Sequence, residues 1–91
     1  MKKVEEKVQE LVMPLLAGTA LRLEKIEYVC EEGEWFLRVF IDKDGGIEID
    51  DCVSVSKPLS KLLDEADFVK EQYYLEVSSP GTTEDAGGKI E

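Results

Sequence analysis

The stretch EWFLRVFIDKDGGI, residues 34–47, decides the fold. Aromatic and β-branched side chains dominate residues 35–41, and side chains of these kinds favour β-strands. The cluster DKDGG at 42–46 ends the strand, because paired glycines adopt positive φ without steric cost. The sequence therefore predicts a strand followed by a tight loop.

The residues before this strand predict a β-hairpin. Apolar residues alternate in one phase up to Leu23 and in the opposite phase from Ile26 to Cys30. The apolar side chains of both parts lie on the same face of the sheet only if one extra residue is inserted near residues 24–25. We therefore expect a β-bulge there. The segment EEGE at 31–34 is typical of the turn that joins the two strands.

Two amphipathic helices are predicted on either side of the hairpin. The first runs from Val4 to a stop at Gly18, and Pro14 is expected to loosen its last turn. The second is expected to be capped by Asp50, and its Pro58 costs about 3 kcal/mol unless a kink absorbs it. The apolar residues at helical spacing are Val4, Val8, Leu11, Val12 and Leu15 in the first helix, and Cys52, Val55, Leu59, Leu62 and Leu63 in the second.

A short extended piece at Ile47 and Ile49 and a third strand at 73–77 complete the pattern. The predicted fold is α+β, a two-layer α-β-β-α-β domain with both helices on one face of a three-stranded sheet and the other face partly open. We expect this domain to span residues 1–81. Residues 82–91 are mostly polar and lack the recurring apolar residues that a helix or a strand would bury. They are predicted to form a disordered tail.

The charge of the chain limits its partners. The formal net charge is −10, and residues 31–51 hold eight acids against two bases. Such a molecule repels phosphate backbones and attracts basic surfaces, so no direct sequence-specific nucleic-acid binding is predicted. The chain has no long apolar run and no secretory signal pattern, so we expect a cytoplasmic protein without membrane association. In the cytoplasm thiols stay reduced, so Cys30 and Cys52 are expected to be free and buried. We expect the protein to be a monomer.

No catalytic residue is predicted. The chain has no histidine, which removes the commonest general base and, with only two cysteines, any zinc site. Phosphate-binding glycine motifs are also missing, so we expect neither an enzyme nor a cofactor. The string DKDGGIEIDD matches a calcium loop at Asp42 and Asp44, but Gly46 and Val53 stand where oxygen ligands are required. We therefore predict no metal site, and keep weak divalent-cation binding by the Asp42–Gly46 loop as the alternative function.

Three residues of the predicted second strand allow two interpretations. Phe36 and Phe40 point to the same face, with Arg38 between them. They are either buried in a central strand covered on both sides, or they form an aromatic patch on the open face that binds a partner. The sequence leaves both interpretations open.

The segments at 27–65 and 73–81 together resemble the N-terminal domain of the RimP family of ribosome maturation factors. The most specific parts are WFLRVFIDKDGGI at 35–47, DDC at 50–52 and LEVSSPG at 75–81. The resemblance implies a non-enzymatic assembly factor that binds the immature small (30S) ribosomal subunit and supports its maturation. It also implies an SH3-like or Sm-like barrel after the SSPG junction, where this sequence has TTED at 82–85 and no barrel segment.

Acidity and resemblance together give a predicted partner-binding surface. Ribosomal proteins are typically basic, so an acidic surface would steer the encounter with one of them. The residues predicted to contribute are Asp42, Asp44, Gly45, Gly46, Glu48, Asp50 and Asp51, the patch of Phe36, Arg38 and Phe40, and the junction of Ser78, Ser79, Pro80 and Gly81.

Overall fold

The predicted element order is confirmed by a computed structural model, which describes residues 3–80. The elements are α1 (Val4–Leu16), β1 (Arg22–Glu31), β2 (Glu34–Asp42), α2 (Ile49–Ala66) and β3 (Tyr73–Ser78). The fold is α+β, as predicted. The predicted tail at 82–91 lies outside the described residues.

The sheet has β2 at its centre. β1 pairs with one edge of β2 in the antiparallel sense, and β3 pairs with the other edge in the parallel sense. Parallel strands end at the same side of a sheet. The loop that follows β2 and the residues that follow β3 are therefore neighbours, which matters for the candidate site.

The predicted bulge and turn of the hairpin are confirmed. Leu23 pairs with Ile41 and Lys25 pairs with Phe40, so Glu24 is the extra residue that restores the buried face. The connection is a two-residue turn in which Glu32 and Gly33 have φ of 51° and 82°. Positive φ at both positions is the geometry whose twist matches that of paired strands.

The core lies between the helices and one face of the sheet. On β2, Leu37, Val39 and Ile41 are completely buried, and α1 contacts β1 while α2 contacts β3. This arrangement follows from the alternation of β2, which sends every second side chain to the helical side. The remaining members of the core are Val8, Val12, Leu16, Val55, Leu59 and Leu63.

The predicted start of α2 is wrong by two residues. Glu48, not Asp50, is the N-cap, and Ile49 is the first helical residue instead of part of an extended piece. The Glu48 backbone N–H donates to Asp51 Oδ2 at 2.9 Å, because a side chain three residues into a helix reaches back to the cap. Downstream, α2 continues through Pro58 as a single helix.

The cysteines differ in burial. Cys30 is exposed, so its predicted burial is wrong, whereas Cys52 is half-buried. Cys30 lies near the hairpin end of β1, where it pairs with Trp35. Within residues 3–80, neither helix is both long and apolar enough to cross a membrane.

Candidate functional site

Most of the predicted binding residues meet at one end of the sheet, which we call the acidic end. It comprises the loop after β2, the first turn of α2 and the residues that end β3. Phe40 pairs with Ser78, so the strand ends are in register, and a groove lined by both Glu48 and Ser79 joins α2 to β3. The members predicted from sequence are Asp42, Asp44, Gly45, Gly46, Glu48, Asp50, Asp51, Ser78, Ser79 and Pro80; Gly81 lies outside the described residues.

Arg22 at the start of β1 holds the first part of the loop. Its Nη2 lies 3.5 Å from Asp42 Oδ2, and its Nη1 lies 3.3 Å from Asp44 Oδ1. The Asp42 side chain is one-third exposed, whereas that of Asp44 is fully exposed. Of these two carboxylates, Asp44 is therefore the more accessible to solvent.

Lys43 holds the second part of the loop to α2. Its Nζ lies 2.8 Å from Asp51 Oδ2, and both side chains are about three-quarters buried. The hydrogen bond from Lys43, reinforced by the Glu48 backbone, lowers the pKa of the Asp51 carboxyl below its usual 3.8. The same bond raises the pKa of Lys43. Both groups are thus charged at neutral pH, and they neutralise each other.

The exposed negative charge of the acidic end comes from three other side chains. Glu48, Asp50 and Asp44 are all exposed. Glu48 and Asp50 lie at the start of α2, where the helix dipole stabilises negative charge. These three carboxylates lie on a segment that the Arg22 and Lys43 ion pairs fix at both ends.

The two glycines of the loop allow the chain to turn. Gly45 and Gly46 have φ of 88° and 99°, values that side chains other than glycine rarely adopt. The Gly46 N–H donates to the Lys43 carbonyl oxygen at 3.0 Å, which closes the turn. A Cβ at either glycine would have no atom within 4 Å, so these glycines serve backbone conformation and not close packing.

The loop does not assemble a set of metal ligands. Asp42 Oδ1 accepts from the Lys43 backbone N–H at 2.9 Å, the Asp44 carboxylate pairs with Arg22, and the Asp51 carboxylate pairs with the Lys43 ammonium. Among residues 3–80 there is no group of three or more His, Cys, Asp or Glu side chains placed to hold a metal ion. Asp42, Asp44 and Asp51 are thus paired with cationic side chains of the chain itself.

Sequence reasoning missed the apolar part of the acidic end. Ile49 is 82% exposed and Val53 is 40% exposed, and both line the groove between α2 and β3. They are one turn apart on α2, on a side of the helix that does not face the core. The sequence did contain a signal for this exposure. Neither Ile49 nor Val53 lies three or four residues from Val55, Leu59 or Leu63, the residues that α2 buries.

The predicted aromatic patch lies on the face of the sheet opposite the helices. Arg38 is 4.8 Å from the Phe36 ring and pairs with Glu31 and Glu76 at 3.0 and 2.9 Å. Phe40 is only 8% exposed, so it offers a partner little surface. Phe36 stacks on Tyr74 with ring centroids 5.5 Å apart, and Tyr74, which sequence reasoning missed, is the exposed aromatic of this face, at 56%.

The acidic end and this patch are separate surfaces. Phe36 and Arg38 lie six and four residues before Asp42 on β2. At about 3.3 Å per residue they are roughly 13 to 20 Å away along the strand. The acidic loop and the residues at the end of β3 therefore lie at the same end of the sheet. Phe36 and Arg38 lie away from that end.

The described residues define a class: a two-layer α+β domain with a mixed three-stranded sheet and an acidic end that carries exposed apolar side chains. Comparison with protein families gives the specific assignment. Residues 11–83 match the family model described as the RimP N-terminal domain. The chain belongs to this family, which is one of ribosome maturation factors.

Proposed function

We propose that this chain acts in ribosome maturation by binding the immature small (30S) ribosomal subunit through its acidic end. Its role is to bind and not to catalyse, and its direct contact is a basic ribosomal protein. It works as a cytoplasmic monomer, without a cofactor. The observation that carries the proposal is the group of three exposed carboxylates, Asp44, Glu48 and Asp50, on the acidic end of a RimP-family domain.

Electrostatics supports this choice of partner. The net charge of −10 repels exposed RNA and attracts the basic proteins that lie on a ribosomal subunit. Complementary charge mainly raises the rate of encounter and selects among partners, and it weakens as salt screens it. Binding that depends on the acidic end should therefore depend on ionic strength.

The test is co-sedimentation of the chain with purified immature small subunits over a salt series. The variant Asp44→Asn, Glu48→Gln, Asp50→Asn removes the three exposed charges and keeps the size of each side chain. We expect its affinity at low salt to fall by about tenfold, with the difference narrowing as salt rises, because exposed charge pairs are screened.

A matched control separates local charge from net charge. Glu32→Gln, Glu34→Gln, Glu65→Gln removes the same charge from exposed positions on the hairpin turn and the last turn of α2, at the opposite end of the sheet. This control should bind like the wild type. Equal loss in both variants, or no loss in either, contradicts a role for the acidic end.

A further inference from the structure

The acidic end contains a groove in which five of the ten lining residues are aliphatic. It has a volume of about 410 Å³ and runs between the first turns of α2 and the end of β3. Ile49 and Val53, exposed by 82% and 40%, line it. Aliphatic side chains left exposed together at the mouth of a groove are typical of an interaction surface. The other lining residues are Ile47, Glu48, Cys52, Ser56, Leu75, Val77, Ser78 and Ser79.

The cysteine in this groove behaves as an apolar side chain. Burial, together with the nearby charge of Asp51, raises the pKa of the Cys52 thiol. The thiol therefore stays protonated at neutral pH, and a protonated thiol is a poor nucleophile and a poor metal ligand. In its neutral form it adds to the aliphatic lining.

We propose that this groove binds an aliphatic side chain carried on a basic segment of a partner protein. The inference rests on the proposed function and deepens it, because it specifies what the partner inserts. Exposed charges steer a partner to the acidic end, but each of them contributes little affinity and salt screens that contribution. Burial of an aliphatic side chain between Ile49 and Val53 supplies the affinity that charge alone does not.

Charge identifies the occupant of the groove. A second copy of the chain would bring another net charge of −10, which opposes association. Residues 81–91 of the chain hold three acids against one base, so they also mismatch the carboxylates of Glu48 and Asp50. A basic segment matches these carboxylates, which flank Ile49 on both sides in the sequence.

Two synthetic peptides test the proposal. Both are lysine- and arginine-rich and identical, except that one has a central leucine where the other has serine. Each is titrated into the ¹⁵N-labelled 91-residue chain, and binding is followed by NMR. The leucine peptide should bind roughly tenfold more tightly, as expected for burial of one aliphatic side chain, and it should shift the amide signals of Ile49, Val53 and Ser79.

Substitutions in the chain locate the effect. Ile49→Ser should reduce binding of the leucine peptide to the level of the serine peptide. Met13→Ser is the matched control, because Met13 is a 48% exposed aliphatic residue on α1 and its loss should change neither affinity. Both positions are exposed, and unchanged circular dichroism verifies that each variant is folded.

Three results would overturn the proposal. Equal affinities for the two peptides would mean that charge alone binds them. Shifts confined to residues around Phe36 and Tyr74 would place the site on the other sheet face. A dimer in sedimentation equilibrium that Ile49→Ser abolishes would make a second copy the occupant. If the peptide test fails while the charge variant still loses small-subunit binding, the groove is rejected and the proposed function stands.

Discussion

At the scale of single residues, the Lys43–Asp51 ion pair organises the acidic end. Asp51 accepts hydrogen bonds from the Lys43 ammonium at 2.8 Å and from the Glu48 backbone N–H at 2.9 Å. One carboxylate thus fixes the loop after β2 and the first turn of α2 at the same time. The exposed charges of Glu48 and Asp50 depend on this residue for their position.

The pair predicts how stability changes with pH. Because the folded state lowers the pKa of Asp51 below its usual 3.8, the unfolded chain binds more protons between the folded pKa and that value. The free energy of unfolding therefore rises with pH across this interval, and the contribution of Asp51 is lost as pH falls through the folded pKa. Asp51→Asn should give a flatter dependence below pH 4, measured by urea unfolding at a series of pH values.

A neighbouring residue provides the control for the pH experiment. Asp50→Asn removes an equal charge one position away, without removing the carboxylate that Lys43 contacts. Its curve below pH 4 should be flattened less than that of Asp51→Asn, because the Lys43–Asp51 contact remains. If Asp50→Asn flattened the curve as much as Asp51→Asn, general charge and not the Lys43–Asp51 contact would be responsible.

At this scale the sequence predicted the glycine turns correctly, because they depend on backbone conformation. It failed at the N-cap of α2, where several acidic side chains could take the same position. Gly45 and Gly46 were placed in a turn because glycine tolerates positive φ, and both have it. The cap of α2 was assigned to Asp50, since aspartate is a common N-cap. Glu48 holds that position instead, because Asp51 stands three residues on and completes the cap.

At the scale of elements, α2 continues through Pro58, a residue that normally interrupts a helix. Proline inside a helix removes a backbone donor and clashes with the preceding turn, yet α2 runs from Ile49 to Ala66. Val55, Leu59 and Leu63 on its inner face are at most 4% exposed. Their burial against the sheet stabilises a helix that local propensity alone would interrupt.

Replacement of this proline should stabilise the protein. Pro58→Ala restores the N–H donor and removes the clash, and we expect the free energy of unfolding to rise by about 1 to 3 kcal/mol. This range already allows for the loss of proline in the unfolded state: alanine gives the unfolded chain more conformational freedom, which lowers the stability gain by about 0.4 to 1 kcal/mol. Urea unfolding measures the change, with exposed Lys61→Ala on the same helix as a control of nearly unchanged stability. A loss of stability in Pro58→Ala would show that the helix has adapted to proline.

The strands were more predictable than the helix ends. The phase change between Leu23 and Ile26 predicted the bulge, because only an extra residue keeps both on the buried side. The pairing of β3 with β2 had no such local signal, since it depends on how α2 crosses the sheet. The parallel pairing, which places the ends of β2 and β3 at the same end of the sheet, is a finding of the structure.

At the scale of the whole molecule, the two sheet faces have different roles. One face packs on both helices and forms the core, and the other carries the Arg38 ion pairs and the Phe36–Tyr74 stack. The sequence predicted this division and left the role of Phe36 and Phe40 open. It did not reveal that Ile49 and Val53 would be exposed beside the acidic loop, because that depends on where α2 begins.

Hydrogen–deuterium exchange of the chain bound to purified immature small subunits tests the central claim most directly. Most of residues 43–50, the loop and the first turn of α2, are exposed, so their amides should exchange faster in the free chain than those of the buried strand β2. Binding through the acidic end predicts slower exchange in residues 43–50, with no change at the hairpin turn, residues 31–34. Protection at the hairpin turn without any in residues 43–50 would contradict the account.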